Sequence, residues 1–457
     1  MAAGPSIRDF VSSEEEPVYA ISGLPEEVVA VVFAYVSRSP ASFRDNLRKL
    51  LAEDLLPTAP SPLPLSQASA KASRFHEKWV VGYGHASVAE HAVVHLGVEA
   101  VSRIASAELE LASSFLSFTE FSQRYQRPRR GAYVTPPELP ADLLAAYEGL
   151  QNKAYEVYDA LVARLQAHHV RRGQTAHEAE KLAFEDARYA LTLATETALG
   201  LTANARALRE ATVRLMASPY GEVRNLAGRL SEATKAVAPT LMRHLTPERP
   251  EPPALLPPVP EGQVVLEDYT GRGSRDPEEE ALKALGLGSA DEFPSLGPHA
   301  LEPRCLDQVR YRVRFAVSEA CWHQLLRHNR RTDFLYGPPE VAQGVVVPPS
   351  LLEVGEAGRL LELAAESSAL FQRLQDAAPP AAAYAVLNAH RRLVRASLSL
   401  RQLVHIVRLR TEQNAQWEIR ALAEELRRLA AKVHPRIVGQ LLRELPSGQG
   451  VPGGKEA

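Results

Sequence analysis

The chain has 457 residues, of which 23% are charged and 45% hydrophobic, a composition typical of globular proteins with two or three packed cores. Collagen, coiled coil and global disorder are therefore excluded as descriptions of the whole chain. Because 52 basic residues stand against 55 acidic ones and the formal net charge is -3, no basic excess favours binding to a nucleic-acid backbone.

Cysteine use and hydropathy predict a cytoplasmic protein. Cys305 and Cys321 are the only cysteines and form no Cys-x-x-Cys pair, which is typical of a reducing compartment. The first residues are acidic and lack an apolar signal region, and the longest apolar stretch, 28–36, is too short to cross a bilayer. We therefore expect no membrane and no nucleic acid among its partners.

A proline-rich stretch over 246–262 divides the chain. Its sequence is TPERPEPPALLPPVPEG, and prolines remove backbone donors and fix φ, which favours an extended spacer. We predict a first domain over 1–245, this linker, a second domain over 263–446, and a flexible tail over 447–457.

The two halves share one order of predicted elements, which indicates an internal repeat. An alternating apolar strand (92–102 and 309–318) precedes a polar motif (115–125 and 324–333), a Pro-Pro stop and long helices. Strands beside long amphipathic helices predict a helix-rich α+β fold with two homologous domains.

The segment GHASVAEH over 84–91, followed by His95, concentrates imidazoles and a carboxylate. On a helix, His91 and His95 would share a face and could bind zinc. The residues that follow alternate as a strand does, so a polar contact with a nucleotide or cofactor is favoured and no metal is predicted.

The segment SFTEFSQRY over 117–125 has alternating polar residues. Glu120, Ser122 and Arg124 would share one face of an extended segment, where carboxylate, hydroxyl and guanidinium can hold a base edge and a phosphate. An exposed polar strand with a surface ion pair is the alternative.

The second half contains a dense group of cations, QLLRHNRR over 324–331. A bound anion would relieve their mutual repulsion, so phosphate is a natural ligand, and solvated surface arginines are the alternative. A later stretch predicted as helical carries Arg401 and His405 on one face, with Arg408 and Arg410 nearby.

The first-half segments resemble the flavin-dependent thymidylate synthase family, whose hallmark is R-H-R followed by S-x-N-E-x-S-x-R-Y. SFTEFSQRY differs from the second part only by Thr119 in place of Asn, but 112–114 (ASS) stands where R-H-R is expected. GHASVAEH is similar to a cofactor-contact segment of the family. Arg188 and the pair Asn204 and Arg206 match later family positions.

The second half resembles the same family in a complementary way. Gln324, Arg327 and His328 match Q-x-x-R-H-R, with Asn329 in place of the last Arg. The stretch aligned with the missing E-x-S-x-R-Y is TDFLYGPPE over 332–340, and Tyr384 aligns with Arg188. The C-terminal LRQLVHIVRLRTEQNAQWEI is similar to the family signature and keeps Arg401 and Arg410.

This resemblance implies a tandem duplication in which each copy has kept what the other lost. It implies two α+β domains, each a mainly antiparallel sheet packed with long helices, and a homodimer that imitates the tetramer of the family. The implied reaction is reductive methylation of dUMP to dTMP with methylenetetrahydrofolate, FAD and NADPH, at a composite site between the copies. The alternatives are a degenerate paralogue that binds flavin or a nucleotide without this activity, and an interaction scaffold.

The resemblance also implies the roles of single residues. Those expected at the reacting nucleotide are Glu120, Ser122, Arg124, Arg188, Gln324, Arg327 and Arg410. Those expected at the flavin are His85, Ser87, Glu90, Asn204, Arg206, Arg327, His328, Arg401 and His405.

Overall fold

The computed structural model describes residues 6–35, 40–52, 86–235, 237–238, 242, 245–247, 254–293, 296 and 300–443. The strands in these residues are β1 (Val93–Ser102), β2 (Ser117–Glu120), β3 (Glu196–Asn204), β4 (Val264–Tyr269), β5 (Arg310–Ser318), β6 (Thr332–Tyr336) and β7 (Arg391–Ser399). The helices are α1 (Glu26–Tyr35), α2 (Phe43–Ala52), α3 (Arg103–Leu111), α4 (Leu144–Arg171), α5 (Ala176–Ala187), α6 (Ala205–Met216), α7 (Gly221–Lys235), α8 (Pro277–Leu285), α9 (Glu319–Leu325), α10 (Pro349–Glu353), α11 (Ala357–Ala377), α12 (Pro379–Ala382), α13 (Leu400–Arg410), α14 (Trp417–Val433) and α15 (Pro435–Leu441).

Within the described part of the chain, no helix combines the length and the apolar character that a membrane span requires. The predicted tail over 447–457 and the predicted flavin residue His85 lie outside the described residues. The predicted helix-rich α+β fold with antiparallel sheets is confirmed by the strands and helices above.

The chain divides into two compact units. Unit 1 comprises Met1–Phe121 and Glu196–Pro250, and unit 2 comprises Ser122–Thr195 and Glu251–Ala457. The units therefore differ from the predicted repeats, since Ser122–Thr195 belongs to the first half of the sequence and groups with the second. The domain boundaries of the repeats stay a prediction.

Unit 1 contains an antiparallel sheet in the order β1-β3-β2. The predicted strand over 92–102 is confirmed as β1, and a bulge between Val98 and Val101 shifts its register against β3. Ala100 lies in this bulge with φ 53, the left-handed conformation that a bulge residue adopts. Helices α3, α6 and α7 pack against the sheet.

Unit 2 contains an antiparallel sheet in the order β4-β5-β7-β6. The predicted strand over 309–318 is confirmed as β5, where Tyr311 and Val313 are buried while Arg310 and Arg312 are exposed. This alternation is the period-2 pattern of a strand with one solvated face. Helices α9, α13 and α14 pack against the sheet.

Unit 2 also holds a backbone pairing between the two halves of the sequence. The N–H of Leu193 donates to the carbonyl of Val386, and the N–H of Asn388 donates to the carbonyl of Leu191, both at 2.8 Å. Interchanging the two repeats turns each of these bonds into the other, which is the relation that a pseudo-twofold axis produces. Helices α4 and α11 pack against each other, so Ser122–Thr195 joins unit 2 through its core.

Both sheets are followed by the same capping device. The backbone N–H of Ser102 donates to Glu222 Oε1 at 2.8 Å, and that of Ser318 donates to Glu418 Oε1 at 2.8 Å. Each serine is also the N-cap of the helix that follows, α3 or α9. This likeness supports the internal repeat and makes Ser102 and Ser318 equivalent positions.

This equivalence corrects the alignment of the repeats by one residue. Fifteen positions after these serines, Ser117 pairs with Thr202 and Asp333 pairs with Ser397. The counterpart of Glu120 is therefore Tyr336, whereas the sequence alignment of 117–125 with 332–340 places Leu335 there. By the same count, the residues that correspond to the R-H-R segment, 327–329, are Leu111, Ala112 and Ser113. The sequence alignment places 112–114 there.

The counterpart of Arg188 is also one residue away from the expected Tyr384. The short helices Arg188–Ala190 and Ala383–Ala385 both end six residues before the equivalent strands β3 and β7. Arg188 therefore corresponds to Ala383, and the two buried tyrosines Tyr189 and Tyr384 correspond to each other.

Among the described residues, a buried ion pair lies next to the capping serine of each unit, and its charges are reversed between the two units. In unit 1 Arg103 pairs with Glu120, and in unit 2 Glu319 accepts a hydrogen bond from Arg392 Nε at 2.9 Å. All four side chains are less than 10% exposed. Such a pair costs much desolvation, so removal of one partner leaves a buried charge without compensation.

We expect Arg392→Met to lower the free energy of unfolding by about 3 to 5 kcal/mol, because Glu319 then stays buried without its cation. Urea denaturation followed by circular dichroism measures this loss. The double variant Glu319→Leu/Arg392→Met should recover most of the stability. A double variant as unstable as the single one would contradict this account of the pair.

Candidate functional site

Arg124 of the first repeat lies against residues of both repeats in unit 2. Its Nε donates to Glu185 Oε2 at 2.5 Å, near the end of α5, and its Nη2 donates to the carbonyl of Asn414 at 2.9 Å. Asn414 lies in the loop between α13 and α14 of the second repeat. The predicted hallmark arginine of one copy thus contacts the C-terminal signature of the other.

The predicted extended face of Glu120, Ser122 and Arg124 is wrong. Strand β2 ends at Glu120, and a turn over 123–125 follows. The N–H of Arg124 donates to Ser122 Oγ at 3.3 Å, and the N–H of Tyr125 donates to the carbonyl of Ser122 at 3.1 Å. The turn breaks the alternation because its residues close back on Ser122.

Glu120 has a structural set of partners in unit 1. It is buried and paired with Arg103, and its Oε1 accepts hydrogen bonds from Ser106 Oγ at 2.8 Å and from Thr197 Oγ1 at 3.1 Å. These contacts secure α3 to the sheet. A role of Glu120 at a ligand stays a prediction.

Arg188 is almost completely buried where α5 ends. Its Nε donates to the carbonyl of Glu185 at 3.1 Å, and its own carbonyl accepts a hydrogen bond from Asn388 Nδ2 at 2.9 Å. Burial and the charge of Glu418 raise the pKa of the Cys321 thiol, while the charges of Arg188 and Arg410 oppose this shift. The two arginines therefore lie close to one buried position, and the neutral thiol is unreactive.

Arg410, His328 and Gln324 form a group at the end of α13 and α9. Arg410 Nε donates to His328 Nε2 at 3.0 Å, and Arg410 Nη2 donates to the carbonyl of Gln324 at 3.2 Å. Burial, and then the charges of Arg327 and Arg124, lower the pKa of Arg410, while the charge of Glu412 opposes this shift. The same end of unit 2 thus holds a concentration of cations from both repeats.

His328 is neutral in this group. Burial, followed by the charge of Arg410, lowers the pKa of His328 to about 3. A neutral imidazole can accept the hydrogen bond that Arg410 donates, which fixes the direction of that guanidinium.

A cavity of about 470 Å³ opens beside this group in unit 2. It contains the predicted flavin residues Arg327, His328 and His405. Its lining residues are Ala300, Leu301, Glu302, Arg327, His328, Arg330, Arg331, Gln402, His405, Arg408, Leu409 and Glu412. Four arginines therefore face two glutamates around one space, which favours an anionic ligand.

Two partners of the α13 cations escaped the sequence analysis. Glu302 accepts hydrogen bonds from Arg408 Nη1 at 3.2 Å and lies 3.4 Å from His405 Nδ1. Asp307 accepts hydrogen bonds from Arg401 Nη1 at 3.0 Å and from Ser399 Oγ at 2.7 Å. These acids precede their partners by about 100 positions, and no local spacing marks such a pair.

The remaining predicted flavin residues lie in unit 1. Glu90 Oε1 accepts a hydrogen bond from Arg206 Nη1 at 2.6 Å, while Asn204 Oδ1 caps α6 by accepting the N–H of Ala207 at 2.8 Å. Ser87 is exposed on the short helix Ala86–His91. The pair Arg206 and Glu90 resembles Arg401 and Asp307 in unit 2, so both repeats fix this arginine with a carboxylate.

The two histidines considered as zinc ligands have other contacts. His95 Nδ1 lies 2.9 Å from Thr202 Oγ1 on the neighbouring strand, and the ring of His91 lies against the ring of Phe33, with centroids 4.9 Å apart. No group of three or more metal-ligating side chains occurs in the described part of the chain.

A buried carboxyl holds the loops of this site together. Asp186, two residues before Arg188, accepts hydrogen bonds from Ser350 Oγ at 2.5 Å and from Trp417 Nε1 at 2.9 Å. The Trp417 ring stacks on Tyr189 at 6.1 Å. Burial raises the pKa of Asp186 to about 6, against the two hydrogen bonds.

Comparisons with known proteins show which family this chain resembles. The model of the family described as thymidylate synthase complementing protein (Thy1) matches residues 25–240 and 300–436. The flavin-dependent thymidylate synthase of Clostridium tetani is 33% identical over 172 residues, covering 37% of this chain and 68% of that protein. That of Sulfurisphaera tokodaii is 29% identical over 194 residues, covering 39% and 69%. The match in two segments fits a tandem duplication.

A solved structure was also found by comparison of folds. It is the crystal structure of the flavin-dependent thymidylate synthase ThyX from Helicobacter pylori complexed with FAD and dUMP. The alignment has a TM-score of 0.32 and 18% identity and covers 49% of this chain and 95% of that chain.

We expect Asp186 to contribute a pH-dependent part of the stability. Its folded pKa of about 6 lies above the ordinary 3.8, so the folded state keeps a proton that the unfolded chain releases between about pH 4 and 6. The contribution is fully present below pH 4 and is lost as the pH rises through 6. The difference in unfolding free energy between the wild type and Asp186→Asn should fall by roughly 3 kcal/mol across this window.

Urea denaturation at a series of pH values measures this difference. The exposed Asp376 offers a matched control, Asp376→Asn. If the unfolding free energy of the wild type changed with pH in parallel with that of Asp186→Asn, the Asp186 carboxyl would not titrate in this window.

Proposed function

The chain belongs to the thymidylate synthase complementing protein family, and from that premise we propose that it is a flavin-dependent thymidylate synthase with a composite site. The observation that carries the proposal is the contact of Arg124, from the first repeat, with the loop at Asn414 of the second. Each repeat lacks part of the hallmark, and this contact supports a site to which both repeats contribute. The reaction is reductive methylation of dUMP to dTMP with methylenetetrahydrofolate as the carbon donor and NADPH as the reductant.

The residues present fit FAD. Guanidinium groups bind diphosphates through paired hydrogen bonds, and four arginines line the 470 Å³ cavity. Its volume lies in the range of small-molecule and cofactor sites. Gln324, which is expected at the nucleotide and does not line the cavity, is buried, and its Oε1 has no hydrogen-bond partner among the described residues, so it can accept a ring N–H of dUMP. Bound FAD would supply the hydride for the reduction.

The chain itself contributes positioning and positive charge. Arg124, Arg188 and Arg410 hold the phosphate of dUMP and stabilise the negative charge that develops on the pyrimidine ring. His328 keeps the Arg410 guanidinium in place through the bond at Nε2. An anion among these cations would offset the cost of burying Arg410, whose pKa is lowered by burial and by its cationic neighbours.

Ser122 has a binding role in this proposal. Its hydroxyl already accepts the N–H of Arg124, and a serine without an adjacent histidine base is a poor nucleophile. It therefore orients the turn that carries Arg124 and remains able to donate its own proton to the nucleotide.

The equivalence of the repeats supports a single site per chain. The unit 1 positions that correspond to Arg327, His328, His405 and Arg410 are Leu111, Ala112, Glu210 and Leu215. These residues carry no cation. A homodimer would therefore hold two sites where a tetramer of single-domain chains holds four, and a cytoplasmic location remains part of the proposal.

A degenerate paralogue is the second candidate function. Asn329 stands in place of the third hallmark residue, and such a loss weakens ligand contacts by about 1 to 3 kcal/mol each. That protein would bind flavin or a nucleotide without forming dTMP.

Rescue of a thymidine auxotroph tests the composite site. We expect Arg124→Ala and Arg327→Ala each to abolish rescue and to lower kcat/KM for dTMP formation by about 100-fold or more, because each removes a cation from the site. Arg214→Ala is the matched control, because Arg214 directly precedes Leu215, the uncharged residue of the first repeat that corresponds to Arg410. Rescue that survives Arg327→Ala would exclude a contribution of the second repeat.

The stoichiometry of binding tests the single site. Equilibrium dialysis of the purified protein with dUMP in the presence of FAD should give one dUMP per chain. Two dUMP per chain would mean that unit 1 also supports a site, and the absence of any binding would exclude the synthase.

A further inference from the structure

Asn388 lies in the pairing between the two repeats, and its backbone is fixed on two sides. Its N–H donates to the carbonyl of Leu191 at 2.8 Å, and its carbonyl accepts the N–H of Ala320 at 3.0 Å. Ala320 lies in the first turn of α9, the helix that carries Gln324. The backbone of Asn388 is therefore held between the first repeat and helix α9 of the second repeat.

The side chain of Asn388 joins two segments of the first repeat. Its Nδ2 donates to the carbonyl of Arg188 at 2.9 Å and to Gln123 Oε1 at 3.2 Å. These bonds use both hydrogens of the amide, and all three bonded residues are buried. In the sequence, Gln123 lies between Ser122 and Arg124. One amide of the second repeat thus ties the turn that carries Arg124 to the segment after α5 that carries Arg188.

The equivalent positions in the other half of the pseudo-twofold arrangement carry apolar residues. The interchangeable backbone bonds make Leu193 the counterpart of Asn388. Pro339 follows the end of β6 by three residues, as Gln123 follows the end of β2, so these two residues also correspond. Leu193 and Pro339 are buried, and neither side chain has a polar atom. The fold therefore accepts apolar side chains at both positions.

The amide pair occurs where the arginines of the candidate site occur. By the same counts, Glu340 corresponds to Arg124, and Ala383 corresponds to Arg188. The half that lacks these arginines also lacks the amides. Burial of a polar side chain costs free energy that its hydrogen bonds offset only in part. Packing alone therefore gives no reason for the amides, whereas the neighbouring arginines do.

We propose that Asn388 is a positioning residue of the composite site, which holds the turn of Arg124 and the segment of Arg188 at a fixed separation. The inference rests on the proposed function for the nature of the reaction. Two guanidinium groups that bind one nucleotide must keep their spacing, because a misplacement of about 1 Å can lower a rate by about 100-fold. Asn388 sets this spacing through Gln123 and through the backbone of Arg188.

The variant Asn388→Leu tests this role, since leucine is the residue at the equivalent position 193. Gln151→Leu is the matched control, because Gln151 is another buried amide that links the repeats. Its Nε2 donates to the carbonyl of Tyr384 at 3.4 Å, and its Oε1 accepts Thr192 Oγ1 at 2.5 Å. Urea denaturation first establishes that each full-length variant is folded. Steady-state kinetics of dTMP formation and hydrogen exchange followed by mass spectrometry are then measured.

We expect Asn388→Leu to lower kcat/KM for dUMP by about 10-fold or more, to raise KM for dUMP and to leave KM for NADPH unchanged. A loss of folded protein would instead lower kcat and leave every KM unchanged. Amide exchange over 122–126 should become about 10-fold faster or more, while exchange in α11 stays as in the wild type. Gln151→Leu should leave the kinetic constants and the exchange over 122–126 unchanged.

Two results would overturn the inference and leave the synthase intact. In one, folded Asn388→Leu has the KM for dUMP of the wild type. In the other, exchange over 122–126 is unchanged. If Asn388→Leu is not folded, Gln123→Met decides by the same measurements, because it removes the bond to the turn and keeps the bond to Arg188.

A wild-type protein that forms no dTMP would exclude the proposed function separately. Hydrogen exchange then decides alone about Asn388, because it needs neither substrate nor turnover. Faster exchange over 122–126 in Asn388→Leu would support the fixed spacing of the two segments, and unchanged exchange would overturn it.

Discussion

The exchange of backbone hydrogen bonds between 189–193 and 386–389 is the constraint on which the candidate site depends. Backbone groups in a buried segment need partners, and here each repeat supplies the partners of the other. This pairing holds α4 and α5 of the first repeat in unit 2. Arg124 therefore contacts the loop that follows α13, and the charge of Arg188 acts on Cys321 of α9.

Several features could be predicted from the sequence because they depend on local pattern. Strands β1 and β5 follow from alternation, and α13 follows from the spacing of Leu403, Ile406 and Val407. The face predicted for Glu120, Ser122 and Arg124 was wrong because a period-2 pattern does not show where a strand ends. The grouping of Ser122–Thr195 with the second half rests on long-range hydrogen bonds, which no local spacing reveals.

In the candidate site too, residues within local motifs could be predicted, whereas partners far away in sequence could not. Arg327, His328 and His405 were predicted from motifs and line one cavity. Their acidic partners were missed: Glu302 and Asp307 lie far away in sequence, and Glu185 is 61 residues from Arg124. The sequence alignment of the two repeats was displaced by one residue at Tyr336 and at Ala383. Only the positions of the equivalent strands fix which residues correspond.

The reversed ion pairs have a consequence for how two similar repeats fold on one chain. Tandem homologous segments risk exchanging elements during folding, since each helix meets two sheets of the same shape. If α3 docked on the sheet of unit 2, Arg103 would meet the buried Arg392, and α9 on the sheet of unit 1 would set Glu319 against Glu120. Both wrong products bury like charges side by side. The opposite polarity of the two ion pairs therefore favours docking of each helix on its own sheet.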